Sequence, residues 1–143
     1  MTSETVEILI VEDNDYDAQI AIRALKTNKL DNKLQRLRDG EEAIDFFEEM
    51  KKSERIYRPK VIFLDLNMPK VDGHELVEYL KSDPLTEHIP IVIMTSSDLQ
   101  ADIIKSYNLG VNSYVTKPLD LPQFMNVIAE IGYYWLAINR VGE

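Results

Sequence analysis

The sequence has no cysteine in its 143 residues. That excludes disulfide bridges, thiolate metal sites and thiol catalysis, and fits a reducing compartment. Glycine is also sparse, at five, and none belongs to a Gly-x-x-x-x-Gly-Lys phosphate loop that would hold a nucleotide. No apolar run approaches the roughly 20 residues of a membrane span. Basic residues are outnumbered: 16 Lys and Arg stand against 25 Asp and Glu, a net charge of −9. The chain thus lacks the footprint of a nucleic-acid binder, and a polyanionic membrane surface is an equally poor partner. Its opening, Met1-Thr2-Ser3-Glu4, lacks the basic-then-apolar pattern of a signal peptide. At roughly 150 residues per domain, the length suggests one domain, residues 1–143. The apolar content of 45% is too high for a disordered chain. These features predict an acidic, single-domain, cytoplasmic protein.

Short apolar runs alternate with longer amphipathic stretches. Ile8-Leu9-Ile10-Val11 reads as a buried strand that stops at Glu12-Asp13-Asn14-Asp15. Tyr16 to Lys26 follows with Ala18, Ile22 and Leu25 at helical spacing. Leu34 to Leu37 is a weaker second strand, interrupted by Lys33, Gln35 and Arg36. Asp39-Gly40-Glu41-Glu42 has capping-box spacing and opens a helix carrying Ala43, Ile44, Phe47 and Met50. Val61-Ile62-Phe63-Leu64 is the third strand and ends on Asp65. Asp72-Gly73-His74-Glu75 repeats the capping spacing before Leu76, Val77 and Leu80. Ile91-Val92-Ile93-Met94 is the fourth strand, ending at Thr95. Ser97-Asp98-Leu99-Gln100 is expected to cap a helix with Ile103, Ile104 and Tyr107, closed by Gly110. Ser113-Tyr114-Val115 is a short fifth strand, and Leu121 to Ile138 a last helix. Five strands alternating with five helices predict a doubly wound α/β fold with a parallel sheet covered on both faces.

In such a sheet, ligands sit beyond the carboxyl ends of the strands. Glu12, Asp13, Asp65, Thr95 and Lys117 all fall there. Singly, each reads as a turn residue, a cap or a solvated charge. Jointly, they place three carboxylates, one hydroxyl and one ammonium on one rim. Carboxylates within about 5 Å repel by roughly 3 kcal/mol per pair at an effective dielectric near 20. A divalent cation relieves this, and an all-oxygen site suits magnesium rather than zinc. Lys117 supplies a point charge for an anion, and Thr95 a donor. Such a set serves phosphoryl transfer, in which an Asp can itself be the nucleophile.

The chain resembles the receiver domain of two-component response regulators over nearly its whole length. The matching pieces are Glu12-Asp13, the stretch from Leu64 to Gly73, Thr95-Ser96 and Lys117-Pro118. The resemblance implies a flavodoxin-like (βα)5 receiver fold with Asp65 as phosphoacceptor. It implies that Asp13, Asp65 and the backbone carbonyl of Asn67 ligate magnesium, with manganese as a substitute, and that Glu12 reaches the metal through water. Thr95 and Lys117 match the residues that hold the phosphoryl group. Tyr114 matches the aromatic switch position, although it also suits plain strand filling. Lys117-Pro118 matches a peptide bond that is typically cis. A sensor histidine kinase is implied as donor, and a downstream protein partner as receiver of the signal. The helix 4, strand 5 and helix 5 surface would transmit the state. With nothing after the fifth helix, a stand-alone regulator without an output domain is expected. Asp102 to Tyr107 and Tyr133 to Leu136 resemble the small regulators paired with cyanobacterial phytochromes, which makes the expected kinase phytochrome-type.

Two other classes share the fold. An aspartate-nucleophile phosphatase needs a second Asp two residues after the first, where this chain has Asn67. A flavin module needs a Ser/Thr/Gly-rich loop after the first strand, where Glu12-Asp13-Asn14-Asp15 repels phosphate. His74 and His88 read as solvated. On the last helix, Leu121, Phe124, Met125, Ile128, Ile131 and Trp135 form a stripe suited to the core. Val127, Tyr134 and Ile138 are left over beside Tyr133 and Leu136, which predicts either packing onto the body or a homodimer contact through this helix.

Overall fold

The computed structural model describes residues 6–30, 33–54, 56–117 and 120–138. Its strands are β1 (Ile8–Val11), β2 (Leu34–Leu37), β3 (Val61–Leu64), β4 (Ile91–Thr95) and β5 (Ser113–Thr116). They form one parallel sheet in the order β2-β1-β3-β4-β5. The helices between and after them are α1 (Asp15–Thr27), α2 (Gly40–Lys52), α3 (Gly73–Lys81), α4 (Gln100–Leu109) and α5 (Leu121–Tyr133). This is the doubly wound α/β architecture that the alternation predicts.

Strand side chains alternate between the sheet faces, so the continuous apolar runs feed two cores. Leu9, Val11, Ile62, Leu64, Ile91 and Ile93 meet Phe47 of α2 and Leu76 and Leu80 of α3. Ile8, Ile10, Val61, Phe63, Val92 and Met94 meet Leu25 of α1 and Phe124 and Ile128 of α5. Each fully buried aliphatic chain contributes roughly 1.5–3 kcal/mol, which makes the central strands the rigid support of the rim above them.

Local signals set where the helices start. The Asp72 side chain accepts from the Glu75 amide while Glu75 reaches back to the Asp72 amide, a complete capping box. Asp39 accepts from the Glu42 amide, but Glu42 turns to the Arg38 amide instead, so only half of that box forms. Ser97 does not cap α4. Its hydroxyl donates to Asp102 Oδ2 at 2.6 Å, and the helix starts after Leu99 without a side-chain cap. Gly110 closes α4 at φ 103°, a left-handed conformation that favours glycine.

Helix α4 departs from the expected pattern in a second way. Leu99, Ile104 and Tyr107 are exposed, and Ser106 is its one fully buried residue. Polar contacts hold it: His74 Nε2 and Ser106 Oγ are hydrogen-bonded at 2.8 Å, and Ser106 Oγ donates to the Asp102 carbonyl. His74 is therefore half-buried rather than solvated, because it bridges α3 to α4; His88 is exposed as expected.

The last helix is also modified. After Tyr133 the chain widens into a π-helical turn over Tyr134–Ile138. The extra residue per turn shifts the helical phase, so adjacent Trp135 and Leu136 both pack against the α1/α5 core. Phe124 and Ile128 are buried as expected, whereas Leu121 lies exposed at the helix start. Tyr133 and Tyr134 remain exposed.

Candidate functional site

Strands β1, β3, β4 and β5 end at one rim, and backbone pairing sets the heights of the residues there. The Asp65 amide donates to Val11 O at 3.1 Å, and the Lys117 amide to Thr95 O at 2.7 Å. Gly73 closes the loop after β3, its amide donating to Leu66 O. A Cβ on Gly73 would lie 2.7 Å from Asp65 O, so the loop folds this tightly only with glycine there.

Glu12, Asp13 and Asp65 each present a carboxylate oxygen to one space, all within 4.8 Å of one another. Glu12 and Asp65 are buried and Asp13 is exposed. The Lys117 ammonium reaches over this group, 2.8 Å from Glu12 Oε1, 2.8 Å from Asp17 Oδ2 and 3.3 Å from Asp65 Oδ2. Burial pushes the Glu12 carboxyl up to about 8; its hydrogen bond with Asp65 adds to this, and Lys117 opposes it. Burial alone would lower the Lys117 ammonium, yet its hydrogen bonds to Asp17 and Glu12 hold it above its ordinary value. The pocket thus crowds acidic side chains around one cation, and the most buried of them, Glu12, keeps its proton well above the ordinary carboxylate range.

A second set of contacts leads away from Asp65. The Asn67 amide donates to Asp65 Oδ1, and Asn67 Nδ2 to Thr95 Oγ1, both at 3.3 Å. Thr95 Oγ1 also accepts from the Ser97 amide at 3.4 Å, and the Tyr114 hydroxyl donates to Ser97 O at 2.9 Å. Asp65, Asn67, Thr95, Ser97 and Tyr114 therefore form one connected chain.

The structure brings together Glu12, Asp13, Asp65, Asn67, Thr95 and Lys117 as the sequence suggests. Tyr114 is half-buried and bonded to the loop after β4. The peptide bond expected to be cis falls on Pro118, which lies outside the described residues. Two residues escaped the sequence reading. Asp17 is the third acid on Lys117, and its placement two residues into α1 was the available signal. Arg36, which looked like an interruption of β2, donates from Nε and Nη2 to the Glu12 carbonyl at 2.9 and 2.6 Å. Its Nη1 lies 3.0 Å from Asp15 Oδ1. The guanidinium fixes the loop that presents Glu12 and Asp13.

The donor chemistry fits a hard divalent cation: three carboxylates, two of them buried, converge with no nitrogen or sulfur ligand among them. Among the described residues, no helix is long and apolar enough to cross a membrane. A (βα)5 sheet carrying this acidic rim defines a signalling domain of the two-component type, a switch rather than a turnover enzyme. The chain belongs to the response regulator receiver domain family, whose model matches residues 8–129. It is 40% identical over 129 residues to response regulator Rcp1 of Synechocystis sp., covering 90% of this chain and 88% of that protein. The crystal structure of the Mn(2+)-bound form of Rcp1 is similar at a TM-score of 0.84 and 37% identity, covering 95% of this chain and 98% of that one. That of the phosphorylated cyanobacterial phytochrome response regulator RcpA gives 0.86 and 35%, covering 95% and 97%.

Proposed function

We propose that this receiver takes a phosphoryl group from a histidine kinase onto Asp65 and passes the change to a protein partner. The observation that carries this reading is the meeting of Glu12, Asp13 and Asp65 under the Lys117 ammonium. Glu12, Asp13, Asp65 and the Asn67 carbonyl would hold magnesium or manganese, which supplies charge neutralisation for the phosphoryl oxygens. An Asp65 carboxylate oxygen attacks phosphorus, the phosphorus–nitrogen bond of a phosphohistidine breaks, and its electron pair returns to the ring, which, already protonated on its other nitrogen, leaves as neutral imidazole. Lys117 and the Thr95 hydroxyl then hold phosphoryl oxygens. The driving force resides in the donor, so the protein's task is orientation and charge balance.

A phosphoryl group on Asp65 would draw in the Thr95 hydroxyl, which in this structure accepts from Asn67 Nδ2 and the Ser97 amide. Thr95 is tied through Ser97 to Tyr114, so the change reaches the α4–β5–α5 face. The sparse apolar anchoring of α4 supports this as the element that shifts. The similarity to RcpA supports a phytochrome-type kinase as donor. We further propose that the chain works as a single receiver unit in the cytoplasm and self-associates through the exposed end of α5.

Incubation with acetyl phosphate and magnesium, read by intact mass, tests the central step. One added phosphoryl group on the wild type and none on Asp65→Asn is the expected result. No addition to the wild type, or equal addition to both, would overturn it.

A further inference from the structure

Lys117 offers three N–H donors, and in this structure three acids share them. Glu12 and Asp65 belong to the acidic pocket; Asp17 does not. Asp17 stands third in α1, and its amide donates to the Asn14 side chain at 2.9 Å. An acid at this place often turns back to the amide of the capping residue. Here the Asn14 amide is taken by Glu12 Oε2 at 3.2 Å. The Asp17 carboxylate is directed instead at Lys117, about a hundred residues away in sequence.

We propose that Asp17 is a positioning residue that competes with a phosphoryl group on Asp65 for the Lys117 ammonium. This rests on the phosphoacceptor reading above. The Lys117 contact with Asp65 is its longest, so that donor is the first to turn to an incoming phosphoryl oxygen. A second donor must come from Glu12 or Asp17. The Glu12 side chain is 6% exposed, so losing the ammonium leaves a buried oxygen with no water to replace that donor. Asp17 is 28% exposed, and water can take the cation's place. Asp17 is therefore the partner that yields, and its pull limits how firmly Lys117 holds phosphate. It is also a fourth acid near the pocket, repelling an anion and attracting a cation.

These effects have opposite signs, which separates them from simple structural damage. The full chain and its Asp17→Asn and Asp17→Glu variants would be titrated with beryllofluoride at saturating magnesium, followed by amide NMR shifts. Magnesium alone would be titrated by calorimetry. The Asn variant should bind beryllofluoride about five- to tenfold more tightly and magnesium about threefold more weakly. The Glu variant should stay near wild type, since its carboxylate can still reach Lys117. Unchanged or weaker beryllofluoride binding by the Asn variant would overturn the proposal, as would a Glu variant that follows the Asn one. A wild type that binds no beryllofluoride would instead overturn the phosphoacceptor reading itself.

Discussion

The Tyr114 hydroxyl donates to the carbonyl oxygen of Ser97 across 2.9 Å, tying β5 to the loop that leads from Thr95 into α4. Removing the donor in Tyr114→Phe leaves that carbonyl to water and should cost about 1 kcal/mol. Because α4 has little apolar anchoring, the loss should show as faster amide exchange over residues 97–107. Labelling of Asp65 by acetyl phosphate should not change. Exchange identical to wild type would show that the bond does not hold the loop.

The Glu12 carboxyl gives the metal-free protein a defined pH dependence. Its value rises from 4.5 to about 8 on folding, so the folded state binds this proton more tightly than the unfolded state does. The associated stability is fully present below about 4.5 and is lost as pH rises through about 8. Denaturant titrations in chelator at pH 5, 6, 7 and 8 should show wild type losing stability relative to Glu12→Gln across that series. A wild-type-minus-variant difference that stays constant with pH would contradict the shift.

Above about pH 8, where Glu12 is ionised, Glu12, Asp13 and Asp65 repel one another more than the single Lys117 ammonium offsets. Asp65→Asn should therefore raise the melting temperature in chelator and blunt the further rise on adding magnesium. The two halves belong together, since in the proposed site one carboxylate would both repel its neighbours and hold the ion. Equal magnesium shifts in mutant and wild type would mean that Glu12, Asp13 and Asp65 do not act as one site.

The legible and illegible parts of the chain differ in what holds them. β1 and β3 are readable to the residue, because apolar runs between acids and turn residues have one comfortable place in a parallel sheet; β2 is legible only through its two flanking leucines. The rim followed from them, since Glu12, Asp65, Thr95 and Lys117 are each adjacent to a strand end. Helix α4 was misread at its start because Ser97 satisfies capping spacing but spends its hydroxyl on Asp102. Its exposed Ile104 and Tyr107 imitate a core stripe that the polar His74–Ser106 contact replaces. Asp17 offered only its place in the first turn of α1, for a different reason. Its partner Lys117 lies at the opposite end of the chain, and only the packing of the sheet ends brings the two together.

The end of α5 carries the last prediction. Trp135 and Leu136 turn toward the core through the π-helical turn, which leaves Tyr133 and Tyr134 at 54% and 46% exposure. The Tyr134 ring packs edge-to-face on Trp135 at 4.9 Å, so it is held in place rather than free to fold away. Leu121, also exposed, lies on the same helix. Rigid exposed aromatics are the residue types that anchor interfaces, and small proteins most often close as two-fold dimers. The Ile138 side chain, the other residue left over from the stripe, lies outside the described residues, so the test rests on the tyrosines. Sedimentation at micromolar concentration should show a dimer for wild type and a shift toward monomer for Tyr133→Ala/Tyr134→Ala. Repeating it with beryllofluoride should change the dimer fraction if the phosphorylated face adjoins the contact. A wild type that sediments as a monomer with and without beryllofluoride would leave these tyrosines as plain surface residues.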